Sequence, residues 1–283
     1  MLRATLIRTL TVSLASAGLW LALTQQQPPQ PLTVTRIADD LHVIVGSGGN
    51  VAVYVTDEGL ILVDDKFERN YAEIMEKVKG ISNKPVRYLL NTHLHGDHTG
   101  GNAKFLEAGT EIISHESARI QMEEKKMPGV PRLSFTQEFT VRLGGKTVRA
   151  RHLGRGHTST DAFMLFPAHR VIHTGDMFVQ GVPFIDYSSG GSGVQWTRTI
   201  HRALELEFDT VIPGHGPILK REDLLKWNQS FEQMKLQVSS LKRQGKSRED
   251  VAAAVKPESF PGWGPSSSWA QRTFPGLWDE LGK

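Results

Sequence analysis

Asn91-Thr92-His93-Leu94-His95-Gly96-Asp97-His98-Thr99-Gly100-Gly101 brings three histidines and an aspartate into six residues, directly after the apolar run Val86–Leu90. At a strand end, alternate side chains project to one face, so His93 and His95 point the same way. Asp97 and His98 follow one turn later, beyond Gly96, where the chain can reverse. The stretch can therefore offer two donors to one cation and two more to a neighbour. Imidazole and carboxylate are the donors expected for zinc in a site that keeps a position free for water.

An exposed loop that is histidine-rich by accident would need no counterparts elsewhere, yet counterparts occur. Gly156-His157-Thr158 follows a strand pattern ending at His152. Thr174-Gly175-Asp176 follows one ending near His173, and Gly214-His215-Gly216 follows Thr210–Ile212. A lone histidine is more often a packing or hydrogen-bonding residue. Four such loops, each beside glycine and just past a strand, predict convergence at one sheet edge.

Working outward, short β patterns at Leu32–Ile37, Leu41–Val45, Val51–Thr56 and Leu60–Val63 are separated by the turn clusters Asp39-Asp40, residues 46–50 and Asp57-Glu58-Gly59. Phe67–Val78 has helical spacing and is expected to stop at Gly80. The second half repeats the theme. Strands at Glu111–Ser114, Phe139–Leu143, Lys146–His152, Ala162–Phe166 and Val171–His173 precede a helix around Gln195–Leu206, a long helix over Arg221–Arg243 and a shorter one over Arg248–Val255. A last helix over Trp269–Leu281 is expected to break at Pro275. Strands followed by a helix, twice over, predict an α/β protein of four layers, an αββα sandwich.

The ligand loops resemble the metallo-β-lactamase-fold hydrolase superfamily, whose hallmark is H-x-H-x-D-H followed by a histidine, an aspartate (or cysteine or serine) and a histidine. The resemblance covers roughly residues 33–220. It implies that His93, His95 and His157 bind a first zinc, that Asp97, His98 and His215 bind a second, and that Asp176 bridges them. Iron or manganese are alternatives to zinc. It also implies hydrolysis by a metal-bridged hydroxide that attacks the carbonyl of an ester, thioester, lactone or amide, with Asp97 as the catalytic residue that orients the nucleophile. Asp64 or Asp65 is placed either to hydrogen-bond a ligand histidine or simply to turn the chain. His173 reads as structural or as support for a ligand, and His42, His115, His152, His169 and His201 as structural or surface residues. Asp161 supports the His157 loop or begins the next strand. The glycine-rich residues 187–193 form either a mobile cover, lining a substrate pocket with Phe184, Tyr187 and Trp196, or a plain connector.

Subfamily patterns narrow the choice. Zinc β-lactamases usually carry cysteine or serine where this chain has Asp176. The basic pattern that binds glutathione in the glyoxalase II group is missing from Phe178–Pro183. The tyrosine that lactonases place beside the bridging aspartate has no counterpart nearer than Tyr187. An iron-dependent persulfide dioxygenase and a non-catalytic metal-binding protein are the readings from other classes.

The sequence holds 33 basic and 30 acidic residues and no cysteine. Disulfides, a thiol nucleophile and a thiolate ligand are thereby excluded. Arg3 and Arg8 fall in the first thirty residues, which contain no acid, so the remainder is close to neutral and offers no electrostatic case for nucleic acid. Met1–Arg8 followed by the apolar run Leu10–Leu23 and the polar Thr24–Pro31 reads as an export signal, cleaved near Ala15-Ser16-Ala17 or nearer residue 24, with an uncleaved anchor as the alternative. Residues 1–31 are thus expected to be signal and linker, 32–283 one metallo-hydrolase domain acting on a small molecule, and the product periplasmic or secreted with no stable membrane span. Trp263, Trp269 and Trp278 are expected to dock on the body of the same chain.

Overall fold

The computed structural model describes residues 31–263 and 270–282. Residues 1–30 of the expected export signal, and Trp269, lie outside the described residues. No described helix is long and apolar enough to cross a membrane.

Seven strands form the first sheet in sequence order: β1 (Thr33–Arg36), β2 (Leu41–Val45), β3 (Val51–Val55), β4 (Leu60–Val63), β5 (Val86–Leu90), β6 (Glu111–His115) and β7 (Leu133–Phe135). The first four are antiparallel, and β4 through β7 are parallel. The second sheet contains β8 (Glu138–Leu143), β9 (Lys146–Arg151), β10 (Phe163–Phe166), β11 (Val171–His173), β12 (Thr210–Ile212) and β13 (Leu219–Lys220), in the order β13-β12-β11-β10-β9-β8. Its only parallel pair among the described strands is β11 with β12. The helices are α1 (Tyr71–Ile81), α2 (Gly96–Thr99), α3 (Asn102–Glu107), α4 (Glu116–Glu124), α5 (Gly193–Leu204), α6 (Arg221–Arg243), α7 (Arg248–Ala254) and α8 (Ala270–Glu280).

The period-two alternation of each strand decides the layering. Leu41, Val43, Ala52, Tyr54, Ile61 and Val63 face the second sheet and pack with Val148, Ala150, Met164 and Phe166. Their neighbours Ile44, Val51, Val53, Leu60 and Leu62 face outward onto Ile74 and Val78 of α1 and Phe105 of α3. On the far side Phe163, Leu165, Ile172 and Val211 meet α5, α6, α7 and α8 through Trp196, Phe231, Val251 and Leu277. Strands buried on both faces must be apolar throughout, which is why β4 reads Leu-Ile-Leu-Val. The result is the four-layer αββα sandwich.

Two helix ends differ from expectation. Helix α1 runs through Gly80 to Ile81, because the break comes where Ser82 takes up extended backbone (φ −160°, ψ 143°). Helix α8 continues past Pro275 to Glu280, anchored by Phe274 and Leu277 in the core. Trp263 docks on the body against Trp227, Phe231 and Phe260, with ring centroids 6.2, 6.0 and 5.0 Å away. Trp278 lies beneath the Lys242 ammonium, which also donates to its carbonyl (2.6 Å).

The end of α8 is tied to the start of α5. The Glu280 carboxylate accepts from the backbone N–H of Gly193 (2.9 Å) and Val194 (3.2 Å) and from the Ser192 hydroxyl. A carboxylate there satisfies donors that the helix itself cannot and complements the positive end of its dipole. Replacing Glu280 by Ala should lower the unfolding free energy by about 1–2 kcal/mol. Urea titration followed by circular dichroism would show it as a lower midpoint with an unchanged slope.

Candidate metal centre

Strand pairing delivers the donors to one place. In the first sheet Val63 pairs with Leu90, so residues 64 and 91 leave the sheet side by side. In the second, His173 pairs with Ile212 in parallel register, and Asp176 and His215 each lie three residues further on. The sheets are joined at this edge. Asn50 accepts at its carbonyl from His173 Nε2 (3.0 Å) and donates through Nδ2 to the carbonyls of Pro213 and Gly216 (2.9 Å each), while Ala162 N donates to Thr92 O (2.8 Å).

His93, His95, His157 and Asp176 form one group of possible metal donors, and Asp97, His98 and His215 form another. Asp176 faces both. Its Oδ2 lies 4.0 Å from His93 Nε2 and 3.6 Å from His157 Nε2, while its Oδ1 lies 3.2 Å from His98 Nε2 and 3.3 Å from His215 Nε2. Asp97 Oδ2 stands 3.1 Å from His215 Nε2 and 3.6 Å from His98 Nε2. All seven residues singled out as ligands in the sequence are thus brought together.

Supporting hydrogen bonds aim the imidazoles inward. His157 Nδ1 donates to Phe184 O (2.7 Å), which leaves Nε2 free. His98 Nδ1 donates to Asp64 Oδ2 (2.7 Å), again leaving Nε2. His95 Nε2 donates to Asp186 Oδ2 (2.9 Å), which leaves Nδ1 facing His157 Nε2 at 2.9 Å. Thr92 donates through its backbone N and its hydroxyl to the two oxygens of Asp64 (2.7 Å each), and its hydroxyl oxygen accepts from His93 Nδ1 (3.1 Å). Carboxylates and carbonyls behind ligand imidazoles fix tautomer and ring orientation in metal sites.

The residues fit metal binding. His93 Nε2 is buried without a hydrogen-bond partner, a costly arrangement in a core unless a ligand completes it, and Asp176 Oδ1 is buried with the His98 and His215 nitrogens beside it. Backbone makes room around them. A Cβ on Gly214 would lie 1.9 Å from Asp176 Oδ1, and one on Gly49 would lie 2.2 Å from the His98 ring. The charge distribution asks for the same thing. Burial works against the charged form of His98, yet Asp97, Asp176 and Asp64 together hold its pKa well above the usual imidazole value. His215 is likewise raised to about 9, against burial, chiefly by Asp176. Asp97 is held down to about 2 by His98 and His215 despite its own burial. Conversely, burial keeps His93 and His157 neutral, the latter at about 4, as a ligand must be.

Asp64 and Lys66 occupy the left-handed region (φ 61° and 62°), a strain of order 1–3 kcal/mol each that buys the turn placing Asp64 against His98. Lys66 is wholly buried, and its ammonium donates to Gly49 O (2.6 Å). Burial pulls its pKa down to about 8.

Other expected residues sort themselves by contact. Phe184 lines a cavity of about 380 Å³ that also meets Asp97, His157, Asp176 and His215. Trp196 does not; it is buried beneath the His157 ring (6.0 Å between centroids) and donates through Nε1 to Met177 O. Tyr187 packs against Gly276 of α8 instead of facing the cavity. Residues 187–193 are not among the cavity's lining and fold back under the His157 loop: Gly191 N donates to Asp186 O (2.8 Å) and Ser192 N to Gly156 O (2.8 Å). His173 accepts at Nδ1 from Gly175 N (3.1 Å) and reaches Asn50, so it braces the Asp176 turn without touching a ligand side chain. Asp161 accepts from Thr158 N and its hydroxyl and supports the His157 loop. Among the remaining histidines, His115 and His152 stack at 4.0 Å.

Sequence reasoning missed Asp186. It lies 91 residues from His95 along the chain and carries no local motif, so only the fold could pair them. Its pKa is lowered, against burial, by hydrogen bonds from His95, Ser188 and Ser189.

Fold and site together define a metal-binding αββα hydrolase. Residues 44–215 match the family described as the metallo-beta-lactamase superfamily, and the chain belongs to that superfamily, whose members act on small molecules. It is 26% identical over 192 residues to metallo-beta-lactamase IND-1 of Chryseobacterium indologenes, covering 63% of this chain and 80% of that protein. It is 27% identical over 189 residues to metallo-beta-lactamase type 2 of Bacillus sp. (strain 170), covering 62% and 72%. Among solved structures, a metallo-beta-lactamase from Pontibacter korlensis superposes with a TM-score of 0.64 at 21% identity, covering 71% of this chain and 99% of that one.

Asp186→Ala should leave the far-ultraviolet spectrum unchanged but weaken metal binding by about 10–100-fold. Competitive titration against a metallochromic chelator would measure the loss.

Proposed function

We propose that this chain is a binuclear zinc hydrolase that attacks a carbonyl carbon of an ester, thioester, lactone or amide. The single observation that carries the reading is Asp176, whose two oxygens are divided between two adjacent groups of imidazole and carboxylate donors. His93, His95 and His157 would hold one ion, Asp97, His98 and His215 the other, and Asp176 would serve both. Donors of this type, without thiolate, suit zinc, and the divided carboxylate suits two ions at close range. Two zinc ions there would supply Lewis acidity and bring the pKa of a water between them towards about 7.

The chain's own residues do the rest. Asp97 lines the cavity and directs Oδ2 at His98 and His215, so its other oxygen can accept a hydrogen bond from a water and orient it. Asp64 and Asp186 hold the His98 and His95 rings in place, so no reorganisation is needed when substrate enters. No serine or cysteine nucleophile is required. The names of the relatives make β-lactams one class to include in a substrate panel.

Chelator-treated protein should lose hydrolytic activity, and two equivalents of Zn²⁺ per chain should restore it. Elemental analysis combined with rates on esters, thioesters, lactones and β-lactams is the test. Full activity without metal, or one iron per chain with oxygen uptake on a persulfide, would overturn the proposal.

A further inference from the structure

The cavity beside the donor set has a chemical character of its own. Its outer walls are Val179, Val182, Phe184 and Trp263, with Gln180 at the rim. No lysine or arginine is among its described lining residues, and the ionisable groups that line it, Asp97, His157, Asp176 and His215, all belong to the donor set, so the outer walls themselves carry no charge. Gln180 is exposed, and its amide can hydrogen-bond but cannot neutralise an anion.

The wall is built to hold its shape. Trp227 of α6 donates through Nε1 to Gly181 O (2.9 Å), and Thr273 of α8 donates to Pro183 O (2.7 Å). Trp263 is wedged among Trp227, Phe231 and Phe260. Trp263 and both helices that fasten the wall lie outside the residues 44–215 that match the family, whereas Val179, Val182 and Phe184 lie within them. A pre-formed apolar wall beside a polar centre favours a ligand whose far end is uncharged, because burying an anion there finds no counter-charge.

Resting on the hydrolase reading above, we propose that this cavity recognises the uncharged apolar group of a neutral ester or lactone, with Trp263 setting its size. A cavity of about 380 Å³ is of the size that takes a small-molecule substituent of several carbon atoms. Anionic substrates are disfavoured at the same wall.

Binding can be measured without turnover. Titration calorimetry of the zinc-loaded protein with acetohydroxamate, hexanohydroxamate and the succinate-derived hydroxamate, which ends in a carboxylate, separates the metal anchor from the wall. Each buried methylene should tighten binding by up to about fourfold, so hexanohydroxamate should exceed acetohydroxamate by about tenfold or more. The carboxylate-ended ligand should gain nothing. Trp263→Ala should abolish most of the chain-length gain, and Gln180→Lys, on the exposed rim, should tighten the carboxylate-ended ligand selectively. No dependence on chain length, or a preference for the anion in the unaltered protein, would overturn the proposal even if ester hydrolysis is seen. Chain-length dependence without turnover of any ester, thioester, lactone or amide would leave the wall established and the hydrolase reading refuted.

Discussion

Everything at the sheet edge answers to one electrostatic constraint: the buried carboxylates of Asp64 and Asp176 are gathered with the half-buried Asp97, and none has an arginine or lysine paired to it. Isolated buried anions of this kind are prohibitively costly. The fold answers by surrounding Asp176 with imidazoles on both sides, and the imidazoles in turn require acceptors behind them. The two sheets, the strained turn at Asp64 and the segment folded back under His157 can be understood as the scaffold that this arrangement demands. Charge that the protein alone balances only by protonating His98 and His215 is charge that divalent cations can balance instead.

How far the sequence foretold this differs by element. The seven candidate ligands were legible because each sits just past a strand and beside or near glycine, and strand ends are where a sheet presents side chains to a common edge. Layering was legible from the alternation in β2, β3 and β4. Helices α3 and α4 and strands β7 and β13 escaped notice. Strands β7 and β13, of three and two residues, are too short to show a period and, unlike the equally short β11 and β12, lead into no ligand motif; Glu116–Glu124 is mostly polar, with its apolar side reduced to Ala118 and Met122. Those elements exist because neighbours hold them, and sequence shows neighbours only poorly.

Around the ligands the errors share a cause. Trp196 and Tyr187 look like pocket residues by their proximity to Asp176 along the chain, but proximity in sequence says nothing about which side of a backbone a ring occupies. Trp196 turns under His157, and Tyr187 turns towards α8. Trp263, in contrast, reaches the cavity from a segment far along the chain. Asp186 shows the same limitation in reverse: its partner His95 becomes a neighbour only when residues 184–192 fold back beneath His157.

Gly49 and Gly214 mark the tightest points of the assembly. Because even a methyl group at either position would overlap a ligand side chain, neither can be used to reshape substrate choice. Diversification of this scaffold must therefore proceed from the outer rim inward, through the 178–184 segment and the C-terminal portion that backs it, while the innermost ring of backbone stays fixed. A protein organised in this way can exchange what it accepts without disturbing how it reacts.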